Sequence, residues 1–336
     1  MSSAAYRPWG LLHWVLAHMG AHPWSLLGCI GTEARSLATW SSLMSSGTLN
    51  GYHLLRIQDA PSRFTSECSA RLADRQNAFQ TQGGDASRIH EHDLSEAYSE
   101  IVEASNSFLA EATNSIILDV TSLPKRFFFP VLRLLLQTDP SAVRNLMVTY
   151  AIPKRYTPQH LAENFGDWTQ LPLFAGKYTH QHSEFLIVGV GFEALGLEER
   201  LETAESGRKI RFLLPFPAPA AAFQRSWDLL WRLQQHQQRE SLRVYRVDVK
   251  DVSDAFDRIV SLTKPGRRRA DFAPFGSKPM SVGMCIYATL TDSQAFYTQP
   301  TVYHPDYSFD IACRDGHPEI YAYCIRLDGR DLFAIP

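Results

Sequence analysis

The residues best suited to chemistry follow one short apolar run. Residues 116–120 carry Asp119 near their end, and Thr121, Ser122, Lys125 and Arg126 come next, before a second apolar segment opens at Phe127. A carboxylate at the carboxyl end of a parallel strand can hold a ribose hydroxyl or a cation, while a serine, two cations and the N–H groups opening a helix suit a phosphate. Gly276, Ser277 and Lys278 make a similar group. A glycine, a serine and Pro279 mark a helix start, and Arg267, Arg268 and Arg269 stand shortly before it. This is not a Walker A loop, which needs a second glycine ahead of the lysine. Thr32 and Glu33, with Arg35, form a third polar group after the strand-like residues 25–30.

Other patterns carry less. Gly189, Gly191 and Ala194 fit the spacing of the dinucleotide fingerprint, but Phe192 fills the turn and no acidic residue follows at the ribose position, so the glycines read as relief for a tight strand-to-loop turn. His90 and His92 with Asp93, and His180 with His182, each offer two imidazoles on one face of an extended segment, short of the three or four ligands zinc requires. No nucleophile elbow occurs, and Cys29 and Cys285 fall in apolar elements where thiols are inert. Phe296, Tyr297, Tyr303, Tyr307 and Phe309, interleaved with Pro300 and Pro305, suit base stacking, a partner surface or cover for a sheet edge.

The elements that must position these groups alternate. Strands are expected at 25–30, 52–57, 115–120, 146–151, 185–190, 210–214 and 244–247. Helices are expected after most of them, the first capped by Thr32 and stopped by Gly47, the fourth capped by Ser122. Asp93 and Glu96 have the form of a capping box for a helix through Phe108. Further helices are expected at about 195–205, 221–235 with Trp227 and Trp231 on one face, 252–262 and 278–289. Asp328-Gly329 signals a closing hairpin between 320–325 and 332–335. This rhythm predicts an α/β fold: a doubly wound, mainly parallel Rossmann-like sheet, helices on both faces, and an antiparallel C-terminal edge hairpin. The expected divisions are an N-terminal extension or frayed helix at 1–23, a first α/β half at 24–152, a long irregular connection at 153–183, and a second α/β half with the hairpin at 184–336.

Composition bounds the function. In 336 residues, 45% hydrophobic and 20% charged content argues for a packed core and against disorder. A net charge of −2 argues against a strongly electrostatic partner surface, although the local basic clusters leave nucleic acid open. Five cysteines without Cys-x-x-Cys spacing predict a reduced, cytoplasmic protein. Residues 9–21 have the rough shape of a signal segment, but His13 and His18 interrupt it, and no apolar run is long enough to span a membrane.

The reading these features favour is a cytoplasmic protein that binds a nucleotide or other phosphorylated small molecule at the strand-end crevice, as a sensor. Asp119, Thr32 and Glu33 would be its polar readers, and Ser122, Lys125, Arg126, Gly276, Ser277 and Lys278 its anion seat. No cofactor is named by the sequence. One alternative is a metal-assisted phosphoester hydrolase using Glu33, Asp59 and Asp119. Another is a non-catalytic subunit that meets a protein partner or a second copy through the aromatic residues of 293–310.

Overall fold

The computed structural model describes residues 6–20, 22–157, 162–176, 183–191, 197, 208–217, 220–236 and 243–336. The chain divides into two compact units, Met1–Glu163 with Thr301–Phe333, and Asn164–Pro300 with Ala334–Pro336. The first unit opens with β1 (Trp9–Leu11), α1 (Leu12–Met19) and β2 (Trp24–Cys29), then a 3-10 turn at Ala34–Leu37 and α2 (Ala38–Ser46). It continues through β3 (Leu49–Gln58), α3 (Thr65–Thr81), β4 (Ile89–Asp93), α4 (Tyr98–Glu111), β5 (Ser115–Asp119), α5 (Lys125–Gln137), β6 (Asn145–Ala151) and β7 (Pro153–Tyr156). Next come β8 (Ala162–Gln170), β9 (Phe185–Gly189), β10 (Lys209–Phe216), α6 (Ala220–His236) and β11 (Arg243–Asp248). The second unit ends through α7 (Val252–Leu262), β12 (Ala270–Pro274), α8 (Lys278–Thr291) and β13 (Phe296–Tyr303). The chain returns to the first unit at Thr301, within β13, and continues with β14 (Ser308–Ile311), β15 (Cys313–Arg314), β16 (His317–Pro318), β17 (Ile320–Leu327) and β18 (Arg330–Asp331).

The main sheet of the first unit runs β1-β17-β6-β5-β2-β3-β4. Its strands from β6 to β4 are parallel, and β17 and β1 add antiparallel strands beyond β6. From β2 the chain winds outward to β3 and β4, then returns beside β2 to lay down β5 and β6. Right-handed crossovers in opposite directions put helices on both faces. One face buries Trp24, Leu26, Ile117 and Met147 under Leu16, Trp40, Leu43 and Phe79. With both faces covered, every residue of β2 and of β5 is buried, which is why both read as continuous apolar runs.

The second unit repeats the plan. Its four-stranded sheet runs β11-β10-β9-β12, all parallel, so its first strand also lies between its second and its fourth. Among the described residues, no helix of either unit is long and apolar enough to cross a membrane.

Several elements depart from the sequence reading. Residues 89–93, which include the extended segment of His90 and His92, form the edge strand β4, and the helix expected after the Asp93 cap, α4, starts only at Tyr98. Glu96 instead folds back on His92 and on the Asp93 amide, so the capping-box contact exists without the helix. β12 was not anticipated because Asp271 and Pro274 break its apolar pattern, yet all five of its residues are buried and Asp271 is paired with Arg208 at 2.9 Å. Near the N-terminus, β1 pairs with β17, and α1 buries Leu12, Val15 and Leu16. The stretch without periodicity after Ile152 contains β7 and β8. Asp328 and Gly329 form the two-residue turn of the hairpin, with φ of 49° and 76°, but the returning strand is Arg330–Asp331, before the expected 332–335. The helix expected at 195–205 lies, except for Leu197, outside the described residues, as do His180 and His182.

Candidate functional site

In an open parallel sheet, the connections leaving the first and fourth strands diverge to opposite faces, and a crevice opens between them at the carboxyl edge. In the first unit those strands are β2 and β5. Gly31, after β2, lies so close to the β5–α5 connection that a Cβ there would be 3.2 Å from the Ser122 Cβ. Thr32 and Glu33 on one side, and Asp119, Thr121 and Ser122 on the other, are therefore brought to one place.

Asp119 faces inward, 3% exposed. Its Oδ1 accepts from the Thr121 amide at 3.0 Å and the Thr121 hydroxyl at 2.5 Å, while Thr121 Oγ1 accepts from the Ala151 amide at 2.9 Å. Burial raises the Asp119 carboxyl above its ordinary range, and the Thr121 hydrogen bonds oppose that shift. The carboxylate thus ties the end of β5 to the end of β6.

Ser122, expected to cap α5, does not. The N-cap position belongs to Pro124, and the Ser122 hydroxyl is shielded from solvent with no hydrogen-bond partner among the described residues. Lys125 opens α5 and is 8% exposed. Arg126 donates from Nη2 to the Glu96 carbonyl at 2.5 Å, and burial lowers the pKa of its guanidinium.

Thr32 does not cap a helix either, because the 3-10 turn at Ala34–Leu37 intervenes, with Glu33 at its N-cap position. Glu33 is instead held by Arg35, whose Nε and Nη2 lie 2.9 and 2.8 Å from Glu33 Oε2, and by the hydroxyl of Ser308. Arg35 also donates to the Ala151 carbonyl at 2.8 Å and lies over the Tyr150 ring at 5.3 Å. Burial works against the Arg35 charge, but Glu33 together with Tyr150 and Tyr156 outweighs it and holds the guanidinium well above its ordinary range. Sequence reasoning missed this cluster, since Ser308 lies 273 residues from Arg35.

In the second unit the corresponding strands are β9 and β12. A Cβ on Gly191 would come within 2.0 Å of the Phe275 carbonyl oxygen, and one on Gly189 within 2.9 Å of Met280 Sδ. Neither glycine has a positive φ, so the lack of a Cβ serves close packing at both. Phe192, Glu193 and Ala194 of the fingerprint fall outside the described residues. Gly276 is buried, and Ser277 sits at the N-cap position of α8 without making a cap hydrogen bond. Its hydroxyl, like that of Ser122, is shielded with no partner among the described residues. Lys278 is the first residue of α8.

The two units thus share more than strand order. Each places a Ser-x-Pro sequence, Ser122 to Pro124 and Ser277 to Pro279, where the fourth strand passes into its helix. Phe275 extends that place in the second unit, its ring stacked 5.7 Å from Trp168.

The metal-ligand candidates are not gathered. Among the described residues no three His, Cys, Asp or Glu side chains are placed to hold an ion. Asp59 is exposed after β3, while Glu33 and Asp119 have the partners given above. The His90 ring lies tilted against the His53 ring, 4.5 Å between centroids, and His92 pairs with Glu96 at 2.9 Å.

No protein-family model matches the chain, and no curated protein does. Among solved structures it is similar to a type III CRISPR defence DNA nuclease activated by cyclic oligoadenylate, with a TM-score of 0.49 and 10% identity over 86% of this chain and 68% of that one. It is also similar to a protein described as a universal stress protein of Pseudomonas aeruginosa, with a TM-score of 0.25 and 13% identity over 84% of this chain and 95% of that one. At these identities and TM-scores the likeness bears on neither ligand nor activity.

Proposed function

We propose that the chain binds a nucleotide or other phosphorylated ligand at the strand-end crevice of its first unit, with an equivalent anion seat in the second, and acts as a sensor of that ligand. The observation that carries this reading is the paired serine hydroxyls. A buried hydroxyl with no hydrogen-bond partner costs about 1–3 kcal/mol. Ser122 and Ser277 hold that arrangement at the same topological place in both units. A phosphate oxygen at each place would accept the hydroxyl proton, as the N–H groups opening α5 and α8 would also favour.

On this reading Ser122, Lys125 and Arg126 seat one phosphate, and Gly276, Ser277 and Lys278 another. Thr32 is the polar reader beside the first seat. Asp119 and Glu33, held by their own partners, shape the crevice walls.

The test is calorimetric titration with AMP, ATP and pyrophosphate. The unmodified chain should bind at least one of them. A chain with Lys125→Ala, Arg126→Ala and Lys278→Ala should bind none while keeping its circular dichroism, and retained binding in that variant would sink the proposal.

A further inference from the structure

We infer that the segment from Tyr303 to Ser308 reads a nucleobase, so that the phosphorylated ligand of the first unit is a nucleoside phosphate; this rests on the phosphate seat proposed above. The path of the segment carries the argument. At one end the His304 ring packs 4.9 Å from Phe64, and Arg71 of α3 donates to the Pro305 carbonyl at 2.7 Å and pairs with Asp306 at 2.6 Å. At the other end the Thr157 amide donates to the Tyr307 carbonyl at 3.4 Å, and Ser308 pairs in register with Tyr156 of β7.

Phe64 and α3 follow β3, whereas β7 follows β6, and β2 and β5 lie between those two strands in the sheet. The segment therefore crosses the carboxyl edge of the sheet over the switch point. The Ser308 hydroxyl, touching Glu33 and 3.2 Å from Arg35 Nε, fastens it to the connection that also carries Thr32.

Two tyrosines stand on this strap. Tyr303 and Tyr307 meet edge to face at 6.3 Å, and Tyr307 meets Tyr156 at 6.2 Å in the same manner. Both are partly exposed, so ring surface remains for a ligand. Rings held by neighbours lose little freedom on binding, and an aromatic face accepts a base by stacking. A bare phosphorylated sugar would leave that surface unused.

Titration of the full chain with AMP and with ribose 5-phosphate tests the inference, because the two share ribose and phosphate and differ by the base. AMP is expected to bind about tenfold tighter or more. Tyr303→Leu with Tyr307→Leu should bring the two ligands within about twofold of each other, while Tyr303→Phe with Tyr307→Phe should keep the difference. Equal affinity of the unmodified chain for both ligands would overturn base reading and leave the phosphate seat standing, whereas binding of neither, with ATP and pyrophosphate also unbound, would overturn both. Since leucine at packed positions can unfold the strap, a second readout uses the unmodified chain. AMP, and not ribose 5-phosphate, should protect Tyr303 and Tyr307 from nitration by tetranitromethane, and equal labelling under saturating amounts of each would contradict the inference.

Discussion

Arg35→Met removes the guanidinium that joins three parts of the first unit. Its hydrogen bonds reach Glu33 at 2.9 Å, the Ala151 carbonyl at 2.8 Å and the Ser308 hydroxyl at 3.2 Å, and it is 2% exposed. Methionine keeps most of the apolar stem but takes the guanidinium donor from the end of β6 and from the Glu33 carboxylate, which keeps the Ser308 hydroxyl. Removing one partner of a buried ion pair costs about 3–5 kcal/mol. The Glu33 side chain retains 13% exposure, so water recovers part of the loss, and the lower end, about 3 kcal/mol, is expected. Glu33→Gln added to Arg35→Met removes the stranded charge and should restore about 1–2 kcal/mol, the signature of coupled neighbours.

Because the chain has two units, a single unfolding midpoint would mix them, and hydrogen exchange read by mass spectrometry keeps them apart. Protection should fall in peptides covering 145–157 and 301–312 and hold in those covering 185–189 and 270–274. Stability of Arg35→Met within about 0.5 kcal/mol of the unmodified chain, or strict additivity of the two substitutions, would refute the account of this cluster.

Other outcomes follow from single positions. Burial raises the Asp119 carboxyl above 3.8, so the folded state holds its proton more tightly than the unfolded one, and stability falls as pH rises through the raised value. Asp119→Asn lacks that loss, so its stability relative to the unmodified chain should improve between pH 4 and pH 8 in urea titrations; an unchanged or opposite trend counts against the burial argument. Gly191→Ala should cost about 2 kcal/mol or more in thermal unfolding, because its Cβ would meet backbone at 2.0 Å, while Gly51→Ala, with nothing within 4 Å, should stay within about 1 kcal/mol. Arg326→Met should cost about 3–5 kcal/mol, since the buried guanidinium donates to the Leu136, Thr138 and Val143 carbonyls and pairs with Asp331; near-native unfolding would show that the end of α5 does not depend on it.

Much of the fold is legible in the sequence because parallel strands buried on both faces have to be apolar throughout. β2, β5, β6 and β9 announce themselves in this way, and Gly47 with φ of 67° closes α2 where the chain signals a stop. β4 is hidden because an edge strand need not be apolar, and β12 because an ion pair allows Asp271 inside it. At the site, local chemistry places Ser122 and Ser277 just ahead of a helix, but neither makes the cap hydrogen bond expected of such a serine. Whether a serine caps a helix depends on a backbone turn that Pro124 displaces by two residues. The likeness of the two units is a matter of strand order and escapes any local pattern. The Glu33–Arg35–Ser308 cluster and the tyrosine strap need a chain that leaves the first unit, builds the second and returns.

Native mass spectrometry of the full chain purified from its own host, followed by denaturation and identification of what is released, tests the central claim most directly. The expected result is an excess mass that leaves as a nucleotide or other phosphorylated metabolite, and that is lost when Lys125, Arg126 and Lys278 are replaced by alanine. An apo mass for the unmodified chain that stays unchanged when AMP or ATP is added would contradict a phosphate seat at either switch point.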